Sequence, residues 1–272
     1  MRKNAEIKPN HKYAQSNKLI TAKLSRNITV TGLKLIRLAI TNIDSIRDDE
    51  LFEYTIKMTD FAELLGLKNS KNIYRDCKRI CCSVAQTVIG FEDTRKKKGS
   101  FSYKPLFSSC DYDDGNGMVI IKFNEQIKPF LLHLKGNFTQ IPLQEILLMN
   151  HKYSIRVYEL IKLKLRNATP HADKHYPIEI SVKELRRVTD TEDKYPQIKD
   201  LKHRVLYPAL ADIERDETAQ IHCNVKDIKE GRTIIGFQLD CWSKVGWNVK
   251  GNHMQGQGTF EPDENQELHV YY

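Results

Sequence analysis

The chain has 272 residues, of which 40% are hydrophobic, and its formal net charge is +8 at pH 7. This length allows one large or two ordinary domains with packed cores, and the basic charge favours a polyanionic partner such as nucleic acid. The longest apolar runs, at 119–121 and 146–149, are too short to cross a bilayer, and the basic N-terminus lacks a secretory signal, so we expect a cytoplasmic protein without membrane contacts.

The two ends of the chain differ from the rest in composition. Residues 1–18 contain five Lys or Arg and one Glu, which predicts a mobile basic arm that supports nonspecific DNA binding. Residues 246–272 mix Gly, Gln and Asn with four acidic residues and one lysine, which predicts a flexible tail.

The first half of the chain begins with a predicted helix and strand. The apolar spacing of 31–44 is typical of a helix, and 54–58 is typical of a short strand. Thr59 or Asp60 can cap the next helix, which Gly66 ends.

A longer amphipathic helix is predicted at 70–86. It is followed by two strand-like runs, 87–92 and 101–107, which predict a hairpin because a cationic turn with a glycine joins them. The resulting order is helix, strand, helix, helix and hairpin.

The second half of the chain repeats this order, which indicates a structural repeat. Ser181 and Glu184 form a capping box that opens the middle helix. The successive elements are predicted at 153–166, 176–180, 181–189, 198–213, 219–228 and 232–242.

Helix, turn and helix followed by a β-hairpin is the winged-helix arrangement, in which one helix enters the DNA major groove and the hairpin reaches the backbone. The sequence therefore predicts an α+β protein with two tandem winged-helix domains. We place the first at 19–136 and the second at 137–245.

The longest helix of each half has an apolar side and a polar side on a helical wheel, and the polar side supplies the candidate DNA-binding residues. In the first helix these are Lys71, Asn72, Arg75, Lys78 and Arg79. In the second they are Lys199, His203, Arg204 and Tyr207, and Lys202, nearer the buried side, is a further candidate. Arg204 is the candidate for a bidentate guanine contact, whereas a merely solvated polar face is the alternative for both helices.

Pro208 lies inside the second of these helices. A proline there removes a donor and clashes with the preceding turn, so it should bend the helix or leave the Arg204 carbonyl without its partner. The bend either separates a DNA-reading part from a core-packing part or lets the helix follow the core.

The turn of each predicted hairpin is cationic. Arg95, Lys96, Lys97 and Lys98 are adjacent in the first, and Lys226, Lys229 and Arg232 take the equivalent place in the second. Such cations provide affinity through phosphate contacts without choosing a sequence, and a soluble loop is the alternative.

Cysteine and histidine patterns give little support for a metal site or an enzyme. The six cysteines are expected to be reduced, buried thiols that act as small hydrophobes, since no CxxC pair accompanies Cys77 and Cys81. No HxH motif of a nickase occurs, and His171 and His175 lie in a predicted loop. No GxxxxGK[ST] motif occurs either, so we expect no cofactor.

The stretches 123–161 and 201–213, and more weakly 22–40, resemble the iteron-binding plasmid replication initiators built from two winged-helix domains. The likeness extends over roughly residues 18 to 242. It is most specific where the end of one domain passes directly into the opening helices of the next.

This resemblance implies a non-enzymatic bacterial protein that binds directly repeated origin DNA, helps to open the duplex, and recruits the host initiator and the replicative helicase. It implies that a monomer binds the repeats and that a homodimer, joined through the first domain, represses its own gene. Because the likeness is sharp at 201–213, sequence readout is expected in the second domain.

Two other functions remain as alternatives. A winged-helix transcriptional regulator would share the fold without contacting replication proteins, and a nickase would cleave supercoiled plasmid. If both helices enter successive major grooves, roughly 34 Å apart, one chain should cover about 20 base pairs.

Overall fold

The computed structural model describes residues 2–5, 11–24, 28–67, 72–92, 100–168, 174–215 and 219–243. The elements up to residue 123 are β1 (Arg2–Asn4), β2 (Lys12–Ser16), α1 (Asn17–Thr21), β3 (Lys23–Leu24), α2 (Val30–Thr41), β4 (Glu53–Lys57), α3 (Met58–Leu64), α4 (Asn72–Ala85), β5 (Val88–Glu92), β6 (Phe101–Pro105), β7 (Phe107–Asp113) and β8 (Met118–Phe123).

The remaining elements begin with a 3-10 helix and include one π-helical turn. They are the 3-10 helix (Glu125–Phe130), β9 (Phe138–Pro142), α5 (Leu143–Leu148), α6 (Ser154–Lys164), β10 (Tyr176–Ser181), α7 (Val182–Val188), α8 (Ile198–Leu201), the π turn (Lys202–Leu206), α9 (Tyr207–Glu214), β11 (His222–Glu230) and β12 (Thr233–Trp242).

Two sheets share one topology and confirm the predicted α+β repeat. In the first, β4 is antiparallel to β8, which pairs with β7. In the second, β10 is antiparallel to β12, which pairs with β11. With the helices between these strands they form a first winged-helix unit (α2 to β8) and a second winged-helix unit (α6 to β12).

The sheet order corrects one predicted equivalence. The hairpin that corresponds to β11–β12 is β7–β8, since these are the strands that join β4. The predicted hairpin β5–β6 does form, but it pairs with β3 in a separate sheet and is inserted after α4. The segment between its strands, which lies outside the described residues and includes 95–98, is therefore not the equivalent of the turn that carries Arg232. Alternating patterns mark a strand without indicating its partner.

The long helices pack as the wheel predicts. Cys77, Ile80, Cys81 and Val84 of α4 are buried, and α4 contacts α2 and β7.

A membrane-spanning helix is not found in the part of the chain that the structure describes, because none of its helices combines the required length and apolar character.

Helix caps follow the sequence in two places and differ in one. The Ser181 hydroxyl accepts a hydrogen bond from the Glu184 backbone N–H at 3.0 Å, and Gly66, with φ of +71°, ends α3. The predicted cap at Thr59 or Asp60 is wrong, because α3 already begins after Lys57 and has no side-chain cap. Asp60 instead lies in the first turn, where its charge complements the helix dipole.

The N-terminal segment is more ordered than a mobile arm over the residues that the structure describes. Residues 12–16 form β2, antiparallel to β9, and residues 2–4 form β1, parallel to β4. Tyr13 and Gln15 have no exposed surface. The expectation for residues 1–18 is thus corrected for these parts, since basic composition alone does not reveal a strand whose partner is distant in the sequence.

A buried charge cluster joins the two units. Glu159 on α6 is 0% exposed, and Arg37 on α2 donates to its Oε1 at 2.5 Å and to its Oε2 at 3.0 Å. Arg156 donates to Oε2 at 2.6 Å. Tyr13 and Gln15 donate to Oε1 at 2.8 and 3.2 Å.

Arg156 extends this cluster to the N-terminal segment, because its Nη2 donates to the carbonyls of Ile20 and Ala22 at 2.7 Å each. Burial opposes the ionisation of Glu159, but Arg37 and Arg156 together hold its pKa below the ordinary value. The charged carboxylate therefore ties α2, β2 and α6 to one another.

Candidate nucleic-acid interface

The second winged-helix unit presents one long helix, formed by α8, the π turn and α9. Its apolar side is buried, and its polar side includes four of the predicted DNA-binding residues. The buried residues are Leu201, Val205, Leu206, Ala209, Leu210 and Ile213. The exposed ones are Lys199, His203, Arg204 and, at 38% exposure, Tyr207. The predicted division into two faces is confirmed, and DNA contact stays a prediction.

Pro208 follows a widened turn of this helix. The Tyr207 backbone N–H donates to the Lys202 carbonyl, five residues back, whereas an α-helix would bond four residues back. Leu206 and Tyr207 keep helical dihedral angles. The expected disturbance thus takes the form of a π turn directly before the proline.

Lys202 is oriented toward the hairpin of the same unit. Its Nζ lies 2.8 and 3.0 Å from the two carboxylate oxygens of Asp227 on β11 and 5.5 Å from the ring centroid of Tyr207. The hydrogen bond with Asp227 raises the pKa of Lys202. This predicted DNA-binding cation is therefore already paired, and it connects the helix to the hairpin.

Three other polar residues of the helix make aromatic contacts. The rings of His203 and Tyr207 meet edge to face, with their centroids 5.5 Å apart. The guanidinium carbon of Arg204 lies 5.9 Å from the ring centroid of Tyr195. Such contacts restrict the side chains while leaving their polar ends free to bind. The sequence pattern did not identify Tyr195 or Asp227, since both depend on contacts between separate elements.

The β11–β12 hairpin carries exposed cations next to this helix. Lys226, Lys229 and Arg232 are exposed, and the turn between the strands contains Gly231 with φ of +59°, a conformation that favours glycine. Arg232 lies in this turn, whereas Lys226 and Lys229 lie on β11 before it rather than in the predicted turn. Exposed cations in the turn and along the strand that leads to it match the phosphate-contacting role of a wing.

The corresponding helix of the first unit is described in part. Arg75, Lys78 and Arg79 of α4 are exposed, and Arg79 Nη2 lies 3.3 Å from Asp76 Oδ2. The structure describes only the backbone of Asn72. Outside the described residues lie the remaining candidates, Lys71, Arg95, Lys96, Lys97 and Lys98.

Two aromatic side chains that we did not single out from the sequence are exposed on β6. Phe101 is 65% and Tyr103 56% exposed, and their rings meet edge to face at 5.1 Å. β6 is an edge strand of the β3–β5–β6 sheet. The alternating pattern of the strand is visible in the sequence, but which of its faces stays uncovered is not.

The cysteines are free thiols, as expected, and four of them are buried. Cys82 is exposed and Cys110 partly buried, so the prediction of buried thiols is wrong for these two. Among the described residues, no group of three or more His, Cys, Asp or Glu side chains could hold a metal ion. His175 Nδ1 lies 2.8 Å from Asp240 Oδ2, and His171 falls outside the described part of the chain.

Comparison with known proteins adds family information to this geometry. Residues 12–162 match a protein family described as "Initiator Replication protein, WH1", and residues 181–241 match one described as "Initiator Rep protein, WH2". A curated "Replication initiation protein" from Escherichia coli is 26% identical over 140 residues. That match spans 52% of this chain and 43% of the relative.

One similar solved structure covers most of the chain. It is described as "Crystal structure of Pi initiator protein in complex with iteron DNA" and gives a TM-score of 0.70 at 22% sequence identity. The alignment covers 86% of this chain and 98% of that chain. The two proteins therefore share a fold.

Proposed function

Because this chain belongs to the replication initiator family with two winged-helix domains, we propose that it binds directly repeated DNA at a plasmid origin and initiates replication there. The observation that carries the proposal is the helix 198–214, buried on its apolar side and exposed on the side of His203 and Arg204. This is the arrangement of a helix that enters a major groove.

The two units divide the work of binding in this proposal. In the second unit, Arg204 reads a guanine through a bidentate contact, while Lys229 and Arg232 contact the phosphate backbone. In the first unit, Arg75 and Arg79 face a second groove. The buried ion pair between Glu159 of the second unit and Arg37 of the first supports a fixed orientation of the units, so that one chain covers about 20 base pairs.

The same proposal includes the steps that follow binding. The protein opens the duplex with binding energy and recruits the host initiator and the replicative helicase, without enzymatic activity of its own, in the bacterial cytoplasm. We assign DNA reading to residues 137–245 and dimerisation to residues 19–136. Reconstituting helicase loading on origin plasmid would test recruitment, and the absence of loading would favour a transcriptional regulator.

The edge strand β6 supports the proposed homodimer. Its place at the edge of the sheet in the described part of the chain and the exposed rings of Phe101 and Tyr103 fit a second copy that adds strand to strand. Such a dimer would repress the gene of the protein, whereas the monomer would bind the repeats. Sedimentation velocity of the Phe101→Ser variant should show less dimer than the unchanged protein at equal concentration.

The central experiment is fluorescence anisotropy with duplexes tiled across the DNA that flanks the gene. At about 0.15 M salt, where surface charges are screened beyond roughly 8 Å, tight binding should be confined to directly repeated segments. A shuffled duplex of equal length is the control. Equal binding to both would overturn the proposed function, and cleavage of supercoiled plasmid would favour the nickase instead.

Asp227→Asn should strengthen binding to every duplex, including the shuffled control. The change removes the carboxylate that now pairs with Lys202, so one more cation becomes available for phosphate. We expect the slope of log affinity against log salt to steepen by about one. The anisotropy titrations, repeated over a range of salt concentrations, measure this slope.

Glu125→Gln is the matched control, because it makes the same change of charge at an exposed residue of the 3-10 helix. It should leave the salt slope close to that of the unchanged protein. If both variants steepen the slope equally, the effect reflects net charge alone and Lys202 has no particular place at the interface.

A further inference from the structure

The buried side of the helix 198–214 contains a row of four residues at equal intervals, beside Leu206 and Leu210. Leu201, Val205, Ala209 and Ile213 follow one another at intervals of four, and each is at most 1% exposed. An α-helix turns about 100° per residue, so from Leu201 to Ile213 it would turn roughly 1200° and leave the two side chains about 120° apart. One extra residue in one turn reduces that difference to about 20°. The π turn therefore places all four in one narrow row instead of spreading them over about 120°.

Pro208 gives a chemical reason for the position of this turn. It has no backbone N–H, and in a regular α-helix its ring would clash with the carbonyl four residues earlier, that of Arg204. The turn before it is widened, with the Tyr207 N–H bonded to the Lys202 carbonyl. Pro208 itself lies in the first turn of α9, where a missing donor is tolerated.

The same widening sets the direction of the exposed side chains. Lys199, His203 and Tyr207 are also spaced by four, so the π turn aligns them on the exposed side. α9 is fixed to the core through Ala209 and Ile213. Without the extra residue, the part of the helix before Pro208 would be rotated by about 100° relative to α9.

We infer that Pro208 is a positioning residue that determines which base sequence this helix prefers, by maintaining the π turn that orients Lys199, His203 and Arg204. The inference rests on the proposed function, in which this helix reads origin DNA. In this inference Pro208 acts through the shape of the helix and not through a contact with a base. Its effect should appear in the order of preferred sequences rather than in affinity for DNA in general.

The test compares the unchanged protein with Pro208→Ala in a selection from duplexes randomised across the bound segment. We expect the variant to enrich a different sequence, with the ratio of affinities for the two selected duplexes changing by about tenfold. Binding to a shuffled duplex should stay within about twofold, since the phosphate-contacting cations remain. Pro177→Ala, at an exposed proline of β10, is the control and should enrich the original sequence.

Backbone NMR supplies a readout that does not depend on DNA. In Pro208→Ala the Tyr207 amide should change its hydrogen-bond acceptor from Lys202 to His203, seen as a scalar coupling across the bond. If thermal melting shows that this variant does not fold, Pro208→Ser takes its place in both experiments.

The outcomes separate the inference from the proposed function. If the unchanged protein selects no sequence, the proposed function fails whatever Pro208 does. If it selects a sequence and the variant selects the same one, the inference is overturned. A loss of affinity that is equal for all duplexes would also overturn it, because the preference would then be independent of the π turn.

Discussion

Replacing Glu159 by Ala is expected to lower the free energy of unfolding by about 3–5 kcal/mol, because it removes one partner from a buried ionic cluster. Arg37 and Arg156, which are 2% and 4% exposed, would keep their charges without the carboxylate that accepts from both. Tyr13 would also lose its hydrogen-bond acceptor. Urea denaturation followed by circular dichroism measures this difference.

Glu179→Ala is the control for this change. Glu179 is exposed on β10, so its removal should alter stability by no more than about 0.5 kcal/mol. Equal urea midpoints for the two variants would contradict the assigned role of the cluster.

The acid dependence of stability provides a second readout of the same cluster. Burial opposes the charge of Glu159, but Arg37 and Arg156 depress its pKa below the ordinary value. A depressed carboxyl pKa contributes stability above the pKa of the unfolded chain, about 4.3, and loses that contribution as the pH falls through the folded value. The difference in unfolding free energy between the unchanged protein and Glu159→Gln should therefore shrink as the pH is lowered below about 4.

Much of the fold follows from local patterns in the sequence. The strand at 53–57, the capped start of α7 at Ser181 and the length of α4 agree with the predictions to within a few residues, because periodicity and caps are local properties. The pairing of β4 with β8 rather than with the strands of the inserted hairpin could not be read in this way. Two hairpins with similar alternation follow α4, and only their packing determines which one joins the sheet.

The sequence predicted which side of the helix at the candidate interface is exposed, but it did not predict the ion pair between this helix and the hairpin. The wheel placed Lys199, His203 and Arg204 outward, and they are exposed. It could not show that Asp227 on a later strand neutralises Lys202, since that ion pair joins elements distant in the sequence. The position of Pro208 in the sequence predicted a disturbed helix. The π turn itself is identified only by the backbone hydrogen bonds.

Arg204→Ala should weaken binding to the repeated segment by about 1–3 kcal/mol, the value of one bidentate guanine contact, and should weaken binding to shuffled DNA much less. Arg204 is exposed on the helix face, with its guanidinium near the ring of Tyr195, so its removal leaves the buried side of the helix intact. Anisotropy with both duplexes at the same salt concentration measures the difference.

A base substitution in the duplex makes this test specific. Replacing the contacted guanine should weaken binding of the unchanged protein. It should not weaken binding of Arg204→Ala, because that variant has already lost the side chain that contacts the guanine. Lys229→Ala, at an exposed lysine of the hairpin, should instead weaken binding to all duplexes alike and reduce the salt slope by about one. If Arg204→Ala behaves in the same way as Lys229→Ala, Arg204 contacts phosphate, and the sequence must be read by other residues of the helix.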